Sequence, residues 1–303
     1  MTHLLQLFAD NLLPIILTAG IGYLLRRTLR LDPRPLSRTV FYASAPALVF
    51  TLLVRTPIQL HDILRMMGFA SCILAGVGLL SWVAARLLKL DSVSTSALIL
   101  AATFMNSGNY GMSLNHFALG DEGLAQATIF YLACSMIINS AGIYVATMGR
   151  LPPSRALLGL AKFPAIYAIP LALAVRFSAV ELPLALWRPL DLLADTAVPL
   201  MLLLLGMQMA HEASSNRRDL LWLATGFRLL ISPLLAWILV PVFGLAGVAR
   251  QAGLLEAAMP TAVLSSIIAF EFDAHPALVT RVVLLSTLLS PLTITPLLAI
   301  LGQ

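Results

Sequence analysis

Charge is what this sequence has least of. Of 303 residues, 11% are Asp, Glu, Lys or Arg while 59% are hydrophobic, and the mean hydropathy is +0.92. A soluble domain carries roughly 25% charged residues, so a water-soluble globule is excluded. Cysteine is nearly absent. Cys72 and Cys134, the only two, both fall inside apolar runs. Neither a disulfide nor a metal site is expected of them, and both read as small buried hydrophobes. The short alternating segments of a transmembrane β-barrel, about ten residues each, are missing. So are HExxH, DDxxD and Gly-x-Ser-x-Gly elements, which leaves an intramembrane enzyme without its machinery. The chain is expected to be no enzyme and to hold no cofactor. The first apolar run, Leu4 to Leu25, lacks a basic leader and a small-residue cleavage pattern, so it is expected to stay as a span.

What is present is a series of apolar runs near the ~20 residues that cross a bilayer. They predict an all-α polytopic membrane protein with ten spans, at 4–25, 36–54, 66–86, 94–118, 124–148, 163–179, 190–210, 219–243, 251–270 and 277–300. The sixth is the weakest, with Arg176 and Glu181 crowding its end. A net charge of +5 invites a nucleic-acid partner, but the basic residues sit in short loops between spans. One set of loops holds twelve Lys and Arg (Arg26, Arg27, Arg30, Arg34, Arg38, Arg86, Lys89, Arg150, Arg155, Lys162, Arg217, Arg218). The opposite set holds five (Arg55, Arg65, Arg176, Arg188, Arg250). The richer side is expected to be cytoplasmic. That places a multi-pass protein in the cell (inner) membrane with both termini outside and no nucleic-acid partner.

The basic connection "MGRLPPSRALLGLAKFP" splits the spans five and five, into 1–150 and 151–303. An odd number per half makes the second half enter from the opposite side, so any internal similarity describes an inverted repeat, the plan of many secondary transporters. Faint similarity exists. "SAPALVF" with Pro46 in the second span matches "AVPLMLL" with Pro199 in the seventh. From Pro46 to Asn106 is 60 residues and from Pro199 to Pro260 is 61. The fourth and ninth spans are therefore interrupted at the same place in each half, the fourth by "NSGNYGMSL" (Asn106 to Leu114) and the ninth at Met259-Pro260.

In hydrocarbon an unmet backbone N–H or C=O costs several kcal/mol. A break at mid-depth survives only where protein surrounds it or water fills it. Gly108 and Gly111 weaken the helix, and Pro260 leaves a carbonyl near Ala257 or Glu256 without its donor. Each following half-helix presents free N–H groups and about half a positive charge, so two facing breaks form a site for a small anionic solute. The candidate binding residues are Asn106, Ser107, Gly108, Asn109, Tyr110, Gly111, Met259, Pro260, Thr261 and Ala262, with Asn139 of the fifth span. The alternative for each break is a kink that eases helix packing.

Other polar residues carry two readings each. Asn139 and Ser140 touch the cavity or pair with a neighbouring helix. Glu256, one turn before Pro260, is a coupling site or the partner of an Arg, since intramembrane acids are costly. Arg228 lies ten residues past Arg218, about 15 Å along a helix, and pairs with an acid or attracts a carboxylate. Asp195 and Thr196 coordinate a cation or make a structural bond. His116 and His275, near opposite ends of their spans, titrate or are merely solvated.

"NSGNYGMSLNHFALGDEGLAQA" and "LLEAAMPTAVLSSIIAFEFDAHPALVTRVVLLSTLLSPLTITPLL" resemble the auxin efflux carrier family of secondary transporters. "PIILTAGIGYLL", "LSRTVFYASAPALVF" and "TAVPLMLLLLGMQM" add less specific likeness, so the resemblance covers essentially the whole chain. It implies ten spans as two inverted five-helix repeats whose fourth and ninth helices cross at their breaks. It also implies transport of small organic anions, auxin in plants and carboxylates such as malate or malonate among bacterial relatives. A related superfamily with a similar crossed pair is the bile acid sodium symporters. Sodium-coupled symport of that type, or a membrane sensor that kept the fold, are the alternative functions. The coupling ion is a proton, sodium or none, and a homodimer is one candidate assembly. Where the family pattern NxGxxGxP has Pro, this chain has Ser113, which either returns an N–H and straightens the fourth helix or offers a hydroxyl to the cavity.

Overall fold

A computed structural model describes residues 2–56, 58–147, 164–178, 182–210 and 217–302. The basic connection with Arg150, Arg155 and Lys162 lies outside the described residues, as does Glu181. The described chain is helical almost throughout and holds no strand, only one isolated β-type pairing. Its helices are α1 (Leu4–Leu29), α2 (Pro33–Arg55), α3 (Leu60–Leu87), α4 (Ser92–Thr103), α5 (107–119), α6 (121–146), α7 (Ala165–Phe177), α8 (Leu184–Met209), α9 (Arg218–Phe243), α10 (Gly247–Ala257), α11 (Val263–Glu271) and α12 (Pro276–Ile300). Seven helical runs are long and apolar enough to cross a bilayer, with the continuous run Ser107–Ala146 counted once. The chain is a multi-pass membrane protein. Within 107–146 the direction changes at Gly120, whose φ of 66° and ψ of −157° belong to a region essentially reserved for glycine.

Several helices widen into a π-turn, at Phe8–Leu12, Val40–Ser44, Ser107–Met112, Ile138–Gly142 and Phe227–Ile231. Three of the five have a proline two residues on: Pro14, Pro46 and Pro233. Proline has no N–H to give and crowds the carbonyl four back, so the turn before it opens. At the other end of a helix, the Asp91 side chain caps α4 by accepting from the Ser94 N–H at 2.8 Å. That bond, with a second from the Ser94 hydroxyl, holds the exposed Asp91 carboxyl below its usual range.

The helices fall into two packed groups. One is α1, α2, α7 and α8; the other is α3 to α6 with α9 to α12. In the first group α1 and α8 touch backbone to backbone. A Cβ on Gly206 would lie 1.7 Å from the Ala19 carbonyl oxygen, and one on Gly22 would lie 2.0 Å from that of Leu203. Small residues let membrane helices approach where no water-driven force pulls them together. The groups meet where α8 lies against the start of α5 and α2 lies along α6.

Candidate functional site where two broken helices cross

The fourth and ninth stretches are interrupted where the sequence puts the breaks. Residues 104–106 separate α4 from α5, and 258–262 separate α10 from α11. The two breaks pair with each other. Met105 and Thr261 form an antiparallel bridge, the Asn106 N–H donates to the Pro260 carbonyl at 2.7 Å, and the Ala262 N–H donates to the Phe104 carbonyl at 2.8 Å. The Thr261 hydroxyl donates to the Ala101 carbonyl at 2.7 Å, and its N–H donates to the Ser286 hydroxyl of α12 at 3.1 Å. The crossing thus satisfies its own extended backbone, which hydrocarbon requires.

The two C-terminal ends share one cap, the fully buried Arg228 of α9. Its Nη1 donates to the carbonyls of Ala102 (3.1 Å) and Thr103 (2.7 Å) at the end of α4. Its Nη2 donates to the Ala257 carbonyl at 2.7 Å at the end of α10, and to the Ser232 hydroxyl. Ser232 in turn donates to the same Ala257 oxygen at 2.8 Å. The Glu256 carbonyl, which Pro260 deprives of its donor, accepts instead from the Met259 N–H at 3.2 Å, and the Ala257 carbonyl, whose i+4 donor Thr261 turns to Ser286, is taken by a guanidinium and a hydroxyl. Two helix C-termini, each worth about half a negative charge, face one positive group. Among the described residues Arg228 forms no ion pair with an acid; it holds main chain.

The N-terminal ends face a cavity. No side chain caps α5 or α11 at its start, and both first turns line a pocket of about 240 Å³. Asn106, Ser107, Gly108, Asn109, Asn139 and Ala262 line it as the sequence suggested. Gln208 of α8 and Tyr131, Cys134 and Ser135 of α6 line it without having been anticipated. Asn109 Nδ2 lies 3.5 Å from Gln208 Oε1, the longest of the polar contacts here, and joins the two helix groups. Asn139 Nδ2 is spent on the Ser135 carbonyl at 2.8 Å. Asn106 is 5% exposed, and its Nδ2 has no acceptor among the described residues. Among the described residues no charged side chain lines this pocket.

Four expected site residues lie beneath the surface of the pocket rather than on it. Tyr110 is buried with its hydroxyl 3.3 Å from Ser290 of α12. Met259, Pro260 and Thr261 are buried in the crossing strand. Gly111 also stands apart from the pocket. It faces Glu256, whose carboxylate would lie 2.4 Å from any Cβ there. Glu256 is fully buried, accepts from Asn115 Nδ2 at 3.1 Å on Oε1, and has no partner on Oε2. Among the described residues no Arg or Lys pairs with it. Asn115 also donates to the Gly111 carbonyl at 2.9 Å, and its own Oδ1 is unpartnered. Ser113 returns its N–H to the Tyr110 carbonyl without straightening the helix, and its hydroxyl does not go to the cavity. It is fully buried, its hydroxyl donates to the Asn109 carbonyl at 3.1 Å, and the preceding turn stays wide without a proline.

Asp195 and Thr196 are parted from each other. Thr196 shares a 2.9 Å hydrogen bond with Ser44, while Asp195 opens on a second, larger cavity of about 900 Å³ at the other end of α8. His116 lines that cavity too, 3.5 Å from Asp121. Ser140 donates to the Met136 carbonyl of its own helix, and His275 precedes α12 in a left-handed conformation.

The profile of the family described as "Membrane transport protein" matches residues 7–298. An "Uncharacterized transporter" of Methanothermobacter thermautotrophicus is 30% identical over 288 residues, which cover 93% of this chain and 94% of the relative. A protein of Rhizobium meliloti named "Putative malonate transporter" is 26% identical over 94% of this chain and 93% of its own. An uncharacterised transporter of Methanocaldococcus jannaschii is 25% identical over 86% of each. Crossed broken helices and likeness along nearly the whole length agree: the chain belongs to the membrane transport protein family, the auxin efflux carrier family that its interrupted spans resemble.

Proposed function

We propose that this chain carries a small organic anion of the carboxylate class across the membrane by alternating access around the crossed helices. One observation carries the reading: Asn106, whose buried Nδ2 has no acceptor among the described residues, lines the same pocket as the two uncapped helix N-termini. A buried donor without an acceptor calls for one, and paired N-terminal fields favour a negative acceptor. The pocket is smaller than the roughly 300–1,000 Å³ of drug-sized sites, which suits a short acid. The name of the Rhizobium relative points to malonate as the first solute to try.

Alternation takes place between the two helix groups. Between the pocket and the larger cavity lies a separate apolar cluster, in which Met112, Leu124 and Ala127 of α5 and α6 face Leu48 of α2 and Ala197 and Met201 of α8. Small and flexible apolar side chains fill this seam, beside the 3.5 Å Asn109–Gln208 contact that joins the groups, and here the groups slide. The inverted halves 1–150 and 151–303, each supplying one broken helix, belong to the same proposal. So do placement in the cell membrane and termini outside.

The test is counterflow of labelled malonate into proteoliposomes, with mono- and dicarboxylates as competitors. Exchange above that of empty liposomes is expected; a protein that binds carboxylates without exchanging them is a sensor, and one that does neither overturns the reading. Glu256 carries the coupling ion, because a buried carboxylate without a counter-ion is expensive and a bound proton or sodium removes that cost. Glu256→Gln is expected to keep counterflow while accumulation driven by a proton or sodium gradient falls to the equilibrium level. Accumulation equal to that of the parent protein would remove Glu256 from coupling. The gradient that drives the parent names the ion.

A further inference from the structure

The two cavities open at opposite ends of α2 and α8, and their surroundings differ in sign. The smaller is reached past Ser37 and Phe41 at the start of α2 and Gln208 at the end of α8, next to the exposed Arg34 and Arg38. The larger lies by Thr56 at the end of α2 and Asp191 near the start of α8. Its wall holds Asp62, Asp121, Glu122, Asp191 and Asp195, with Arg55 the one Arg or Lys among its lining residues. Arg55 is engaged by Asp191 at 2.9 Å and stacks on Trp187, with its guanidinium carbon 4.4 Å from the ring centre. Asp62 is 3.9 Å from Arg65, which does not line the cavity. Arg176, whose Nη1 donates to the carbonyl of the lining Thr56 at 3.0 Å, is a third cation at this wall, so five carboxylates less three guanidiniums leave a formal −2 with His61 and His116 neutral. Glu122 and Asp195 form no ion pair among the described residues.

A cleft of one sign with low-dielectric walls focuses its field and changes local ion concentration by about 10- to 1,000-fold. Confinement matters here, because the same charges on a convex surface would be screened within a Debye length of about 8 Å. We propose that the large vestibule is a charge filter: it holds anionic solutes out, so that the carrier loads its anion from the arginine-flanked mouth and takes it up weakly from the acidic one. The filter rests on the anion reading above for its consequence in transport, but the field in the vestibule exists without it.

The vestibule is read first. Val198→Cys places a thiol on its wall, with Thr56→Cys as the second position should the first fail to fold. Each is treated with a cationic and an anionic thiosulfonate reagent of equal size, and rates are corrected for the parent protein with Cys72 and Cys134. The cationic reagent is expected to react at least about 10-fold faster at low salt. The ratio should fall toward one near 1 M salt, where the screening length is about 3 Å, and should drop when Asp121→Asn and Glu122→Gln are added. A ratio at or below one at low salt overturns the filter. Transport is read second, with labelled malonate offered to each face of oriented vesicles. KM is expected to be higher at the acidic face and to fall there as salt rises, while KM at the arginine face rises. Equal KM values, or the same salt response at both faces, overturn it as well. Absence of any carboxylate flux counts against the anion reading alone, and the reagent ratio then still decides the filter.

Discussion

Arg228→Met is expected to yield a protein that does not survive purification as a folded, monodisperse species. The guanidinium satisfies three buried carbonyls, those of Ala102, Thr103 and Ala257, at the ends of two different helices. Each buried acceptor left unmet costs about 1–3 kcal/mol; the Ala257 carbonyl keeps the Ser232 hydroxyl, so the two carbonyls at the end of α4 are worth on the order of 2–6 kcal/mol against a total stability of about 5–15 kcal/mol. Burying a charge is itself expensive, and exchanging a buried ion pair for apolar groups is often harmless. That compensation is not open here, because the partners are main-chain carbonyls that no substitution removes. Arg228→Lys should fall between. An ammonium is a compact point charge without the planar fork, so it can hold one helix end but not both. Ser232→Ala removes a single bond to an oxygen that Arg228 still holds, and about 1 kcal/mol is expected. Thermal unfolding of the three variants in detergent checks the order. A midpoint for Arg228→Met equal to that of the parent would mean that the carbonyls find other donors.

The breaks themselves were legible in the sequence because their causes are local. Two glycines, two asparagines and a proline at matched spacing are poor helix material, and the chain leaves the helix at those places. The π-turns ahead of Pro14, Pro46 and Pro233 carry a local signal too, the missing N–H two residues on. What the breaks touch was not legible, because it is set by residues far away in the chain. Asn115 and Glu256 are 141 positions apart, and Arg228 reaches carbonyls 125 and 126 positions back. A carbonyl has no sequence signature, so a buried arginine looked like the partner of an acid or a solute. Gln208 escaped notice because it sits at the end of an ordinary apolar helix, and only the approach of α8 to α5 brings it to the pocket. Met259, Pro260 and Thr261 were placed on the pocket because the ninth break was treated as one surface. In fact that strand spends its polar atoms on the fourth break and on Ser286, and only Ala262 reaches the lining.

Asn106→Ala is expected to separate transport from folding. The backbone role of Asn106 survives the change: its N–H still reaches the Pro260 carbonyl at 2.7 Å, and its carbonyl still accepts from Tyr110 and Gly111. Among the described residues the side chain makes no hydrogen bond that holds the fold, and its Nδ2 is an unmet buried donor. Removing it therefore costs little stability and relieves one orphaned group. For a carboxylate in the pocket the same deletion removes a hydrogen bond to a charged oxygen, worth about 1.5–3 kcal/mol, or roughly 10- to 150-fold in kcat/KM. Asn106→Asp should do more damage, because it sets a second negative charge beside the solute in a low-dielectric pocket. Asn109→Ala is expected to cost less, since its amide is already shared with Gln208 at 3.5 Å. Counterflow per folded molecule, with melting temperature measured on the same preparation, reads both halves of the expectation. Loss of exchange at unchanged or raised stability places Asn106 on the solute. Loss of both together would make it a structural residue, and full exchange by Asn106→Ala would move the anion away from the crossing.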